Sequence, residues 1–231
     1  MAHLSFIQMF AIWAVPVLFA ITIHEVAHGW MALRLGDRTA MMLGRLTINP
    51  IKHIDPVGTL LVPTITLMLG GFIFGWAKPV PVTWENLKKP KRDMTLVALA
   101  GPLANLTMAG LWIAVMKLGL WLGNTSAWFG DPLVYMGAAG TIINTLLMVL
   151  NLVPLPPLDG GRVVAGLLPG PLAWKYSRLE AYGFLIIVIL IATNVLGRVL
   201  WPIIVSVVAM LCSVANIPLP LFEMVLNAIM P

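Results

Sequence analysis

One apolar run constrains this chain more than any other stretch. Residues 4–30 carry a single formally charged side chain, Glu25, flanked by His24 and His28. A helix over residues 4–33, at about 1.5 Å per residue, would be about 45 Å long and would overrun a hydrocarbon core of roughly 30 Å. Ionisable groups at bilayer depth are costly and mark function. On a helix, positions i and i+4 lie one above the other, so His24 and His28 can offer two imidazole nitrogens to one metal ion. Glu25, one residue on, reaches a water at that metal rather than the metal itself. This is the spacing of two zinc ligands and a general base. On a soluble helix the same string would be ordinary surface; here three polar side chains need a shared reason, and a metal supplies it.

Composition agrees with the run. The chain has 231 residues, 60% hydrophobic and 10% charged, against about 25% charged in a typical soluble domain. The expected fold is an all-α polytopic membrane protein with five to six spans of about 20 residues each. A single membrane-embedded unit, 1–231, is expected, with a catalytic core over about 4–165 and a C-terminal helical hairpin over about 178–216. The only cysteine, Cys212, excludes an intrachain disulfide and a Cys-rich zinc site. A net charge of +5 fits basic loops at a cytoplasmic face, not nucleic-acid binding. Arg34 and Arg38 after the first run put its C-terminal end, and the histidines, near the cytoplasmic side of a bacterial cell membrane. Cleavage of that run as a signal peptide would remove the motif, so it is expected to stay.

Farther along, residues 36–56 are polar, and the alternation over 40–48 predicts a short strand or hairpin beside the site. Residues 57–76 are long enough to span. Yet the loops on both sides are basic, so either the segment is re-entrant, broken near Pro63 or Gly70-Gly71, or charge bias misplaces one of the two loops; re-entry is the expectation taken. Residues 94–122 read as a span whose Gly101, Pro102 and Asn105 serve close packing on the first helix. Residues 123–132 read as an external loop, and 133–153 as the next span. Residues 182–195 and 199–214 read as a closing hairpin, and 217–231 as an amphipathic segment or a frayed end.

A catalytic zinc takes three protein ligands. Asp159 follows an apolar span, between Pro154, Pro156 and Pro157 on one side and Gly160-Gly161 on the other. His53 competes with it, and Asp55 beside Pro56 is a third candidate.

His24-Glu25-x-x-His28, Gly101-Pro102 with Asn105, and Asn151-x-x-Pro154-x-x-x-x-Asp159-Gly160 occur in that order. Together they resemble the site-2 protease family of intramembrane zinc metalloproteases, over the chain from the first helix to about Arg162. The resemblance implies one Zn2+ per chain, held by His24, His28 and Asp159, with Glu25 as catalytic base. It implies that Asn151 and Pro154 hold an extended substrate strand, and that the substrate is a transmembrane protein in the lipid bilayer. No PDZ or CBS module is recognisable, so substrate choice is expected to rest on the membrane core, an adaptor or a homo-oligomer. The rival reading is a divalent-metal transporter using the same His/Glu/Asp cluster; the absence of an internal repeat weighs against it.

Overall fold

Ser5 opens the first helix. Its hydroxyl accepts the Gln8 N–H at 3.3 Å, and the Gln8 side chain accepts the Ser5 N–H at 2.8 Å. These reciprocal bonds satisfy two donors that a helix start leaves without partners. The computed structural model describes residues 4–61, 65 and 78–230. Helix α1 runs Phe6–Leu35, carries Pro16 inside it, and is closed by Gly36 at φ 120°, a conformation that L side chains resist.

Residues 40–48 do not form the expected strand. A single helical turn, α2 (Thr39–Met42), stands there, followed by irregular chain, and no strand occurs among the described residues. Buried Asp37 explains the difference: its carboxylate accepts the Thr39 N–H at 2.9 Å and the Thr39 hydroxyl at 2.5 Å. It also accepts the Thr83 N–H at 2.7 Å and the Asn86 amide at 3.1 Å. Local side-chain bonding of this kind competes with a strand ladder. Burial opposes charge on Asp37, but these hydrogen bonds outweigh it and hold the carboxyl below the usual carboxylate range. Asp55 also acts locally, accepting the Val57 and Gly58 N–H groups at the start of a π-turn, Pro56–Leu61. The expected re-entrant break near Pro63 or Gly70-Gly71 lies outside the described residues.

Helix α3 (Pro90–Gly123) starts at a proline, where no N–H is needed, and Asp93 turns back to accept the Lys89 N–H at 2.8 Å. Helix α4 (Ala127–Asn151) begins within the expected loop. Glycine makes this early start workable. A Cβ on Gly130 would meet the Gly123 backbone at about 2.5 Å, and one on Gly137 would meet the Met116 backbone at 2.5 Å. The two helices therefore pack backbone to backbone from their connecting turn onward.

Four shorter or later helices complete the chain: α5 (Asp159–Leu167), α6 (Gly170–Ser177), α7 (Glu180–Ala192) and α8 (Val195–Ala215). A last amphipathic helix, α9 (Leu219–Ile229), buries Phe222, Val225, Leu226 and Ile229. Trp13 Nε1 donates to Ile229 O at 2.9 Å, tying the two ends of the chain together. Core residues such as Ile113, Met116, Ile142, Ile204 and Phe222 fill the space between α3, α4, α8 and α9.

Among the described residues, α1, α3, α4 and α8 are long and apolar enough to cross a membrane. Helix α7, expected as a span, has 13 residues, about 20 Å, short of a 30 Å core. Outward-facing apolar side chains such as Phe6 (84% exposed) and Trp128 (83%) suit a lipid surround better than water.

Candidate metal centre

Helix α1 sets His24 and His28 one turn apart, with ring centroids 4.6 Å from each other and the planes at 84°. Gly101 lets α3 pass against both rings. A Cβ there would collide with His28 Nε2 and lie within 2.6 Å of His24 Cε1. Asp159 enters from the start of α5, where Gly160 allows close approach: a Cβ there would overlap the Leu152 and Val153 carbonyl oxygens. Each of the three residues is less than one tenth exposed. His24 Nε2 and His28 Nε2 are 3.0 Å apart, and Asp159 Oδ2 lies 3.2 Å from the first and 3.3 Å from the second.

The outer nitrogens fix the protons. His28 Nδ1 faces the Val97 carbonyl at 2.7 Å, and His24 Nδ1 faces Asn105 Oδ1 at 2.5 Å. The Asn105 nitrogen is engaged with Ala20 O at 3.2 Å and Asn144 Oδ1 at 2.9 Å, so its oxygen is the atom turned to His24. Both rings therefore donate from Nδ1 and present a lone pair at Nε2. Asp159 Oδ2 is buried without a hydrogen-bond partner. Three atoms able to ligate thus converge, an arrangement that repels itself unless a cation, metal or proton, lies between. Three tetrahedral ligands at about 2.0–2.1 Å from zinc would stand about 3.3 Å from each other. The donor set and the triangle fit zinc.

Glu25, half-buried, stands outside this triangle. Its Oε2 accepts the Val80 N–H at 2.7 Å. Val80 belongs to the non-helical stretch 78–83, which Arg45 ties to the Pro50–His53 turn by donating to Lys78 O at 2.9 Å and to Lys52 O at 2.6 Å. His53 lies apart from the cluster, with Nε2 on Thr47 O at 2.9 Å. Asn151, at the end of α4, donates to Leu147 O at 2.9 Å, and the Pro154 carbonyl accepts the Tyr176 hydroxyl at 2.8 Å. Neither is among the converging acceptors. Sequence reasoning did not find the Val80 N–H, which leaves no trace in side-chain chemistry. It also passed over Asn144, although an amide inside an apolar span was a usable signal.

Gly101→Ala is expected to lower zinc content and to destabilise by about 1–3 kcal/mol through overpacking. Gly110→Ala, on the same helix with open space around it, should be neutral or stabilising by under about 1 kcal/mol. Elemental analysis and thermal unfolding of the two variants side by side check this.

An apolar helical bundle that gathers two histidines, a carboxylate and a neighbouring glutamate defines a membrane metalloprotease class. Comparison with known proteins agrees. The chain is 39% identical over 190 residues to YwhC of Bacillus subtilis strain 168, covering 81% of this chain and 83% of that protein. It is 31% identical over 196 residues to Rip2 of Mycolicibacterium smegmatis, covering 84% and 72%, and 32% identical over 159 residues to Rip2 of Mycobacterium tuberculosis, covering 67% and 55%. All three relatives carry zinc-metalloprotease names. No protein-family model and no solved structure matches the chain. The chain belongs to the site-2 protease family of zinc metalloproteases.

Proposed function

We propose that this protein hydrolyses peptide bonds in or near transmembrane segments of membrane-protein substrates, with one zinc held by His24, His28 and Asp159. The observation that carries the reading is the convergence of three ligand atoms, from His24, His28 and Asp159, beside a carboxylate that is not one of them. A structural site would have no use for Glu25. Zinc, when bound, polarises the scissile carbonyl and brings the pKa of a water toward about 7. Glu25 takes the proton of the attacking water on its carboxylate and hands it to the leaving amine nitrogen as the C–N bond breaks. The Val80 N–H fixes the direction of that carboxylate by occupying Oε2.

A helical substrate must unwind first, because its peptide groups are hydrogen-bonded to each other. Asn151 and Pro154 then line the path of the extended strand, between the end of α4 and Asp159. The site faces the cytoplasmic side of the cell membrane: Arg34, Lys88, Lys89, Lys91, Arg92, Lys175 and Arg178 flank the helix ends nearest the histidines.

Purified protein in detergent tests the proposal. Cleavage of a transmembrane peptide is expected to disappear on removal of zinc by a chelator and to return when zinc is restored. Zinc flux into liposomes without any cleavage would replace this reading with transport.

A further inference from the structure

We infer that Asn144 is a positioning residue of the metal site: it fixes the rotation of the Asn105 amide, and through it which nitrogen of His24 carries the proton. The inference rests on the reading of His24 as a metal ligand. Asn144 lies on α4, two hydrogen bonds removed from His24, and both it and Asn105 have zero exposure.

Bond direction can be followed outward to a group with no choice. The Gly140 carbonyl can only accept, and it faces Asn144 Nδ2 at 2.8 Å. Asn144 Oδ1 is thereby turned to α3, where it accepts Asn105 Nδ2 at 2.9 Å. The other hydrogen of that nitrogen goes to Ala20 O on α1 at 3.2 Å. With both amide hydrogens committed, Asn105 Oδ1 is left for His24, which must donate from Nδ1. Its Nε2 is then a bare lone pair aimed at the Asp159 and His28 acceptors.

Reversing the Asn105 amide would present hydrogens to His24 Nδ1, move the imidazole proton to Nε2, and remove the ligand. Two contacts oppose reversal, because Ala20 O and Asn144 Oδ1 would each meet an oxygen. Without Asn144 only one remains. The neighbouring Thr141 and Thr145 hydroxyls donate to Gly137 O and Thr141 O, each at 2.8 Å, within their own helix, and neither is bonded to Asn105. Partners that orient a ligating histidine typically change metal affinity 10–100-fold when lost.

The full-length protein tests this with two substitutions. Asn144→Thr can bond back to Gly140 O as the two neighbouring threonines already do within α4, so it keeps the helix, but it withdraws the acceptor from Asn105. Asn144→Asp, as the carboxylic acid, donates to Gly140 O and accepts from Asn105, and so restores the pattern. Zinc affinity by chelator competition and the visible spectrum of the cobalt-substituted protein are read for both. Asn144→Thr is expected to bind zinc about 10–100-fold more weakly with an altered cobalt spectrum, and Asn144→Asp to match wild type in both. Wild-type zinc affinity in Asn144→Thr overturns the proposal, as does an Asn144→Asp variant that loses as much as Asn144→Thr. A wild-type chain that takes up no zinc overturns the ligand reading itself, a result distinct from either.

Discussion

Glu25→Gln is expected to leave zinc content at the wild-type level and to lower peptide cleavage by about 10²–10⁴-fold, the usual worth of a positioned general base. The substitution is nearly isosteric. The glutamine carbonyl oxygen can still accept the Val80 N–H that Oε2 accepts at 2.7 Å, so stretch 78–83 keeps its hold on α1. No ligating atom changes, because Glu25 is outside the His24, His28 and Asp159 group. What disappears is the ability to take a proton from water. Elemental analysis and transmembrane-peptide cleavage on the same preparation separate the outcomes. Full turnover would show that Glu25 is not the base. Loss of zinc together with activity would mean that Glu25 takes part in holding the metal.

Much of this site is legible in the sequence, because the information is local. The four-residue spacing of His24 and His28 fixes a shared helix face. The prolines and the Gly160-Gly161 pair around Asp159 mark a carboxylate set at the end of an apolar span. Helices α1 and α3 were legible for the same reason, since an uninterrupted apolar run long enough to cross a bilayer has few alternatives.

What escaped depends on partners far away in sequence. Residues 40–48 alternate as a strand would, but Asp37 binds Thr83 and Asn86, 46 and 49 positions on, and the local chain follows those bonds. The string GNTSAWFGDP reads as a loop from its glycines and proline. It becomes helix from Ala127 because Gly130 fits against Gly123, a contact visible only once the register of α3 and α4 is set. The pairing of Asn105 with Asn144, 39 positions apart, has the same character: each residue is visible as a polar group in an apolar helix, and their meeting is not.

Asp159→Ala is expected to weaken zinc binding by more than about 100-fold, beyond the loss of an outer partner, and to abolish cleavage. Two imidazoles remain, and no other carboxylate, histidine or cysteine among the described residues joins them. His53 cannot replace it in place, since its buried ring is held on Thr47 O at 2.9 Å. Stability separates this account from a simple packing defect. Asp159 Oδ2 sits 3.2 Å and 3.3 Å from the two Nε2 atoms, so in this account its contribution to stability is made through the metal. Chelation should therefore lower the melting temperature of wild type and leave that of Asp159→Ala unmoved. Calorimetry of both proteins with zinc and with chelator checks the sign. Zinc retained at wild-type affinity in Asp159→Ala would remove Asp159 from the ligand set and move the third ligand elsewhere.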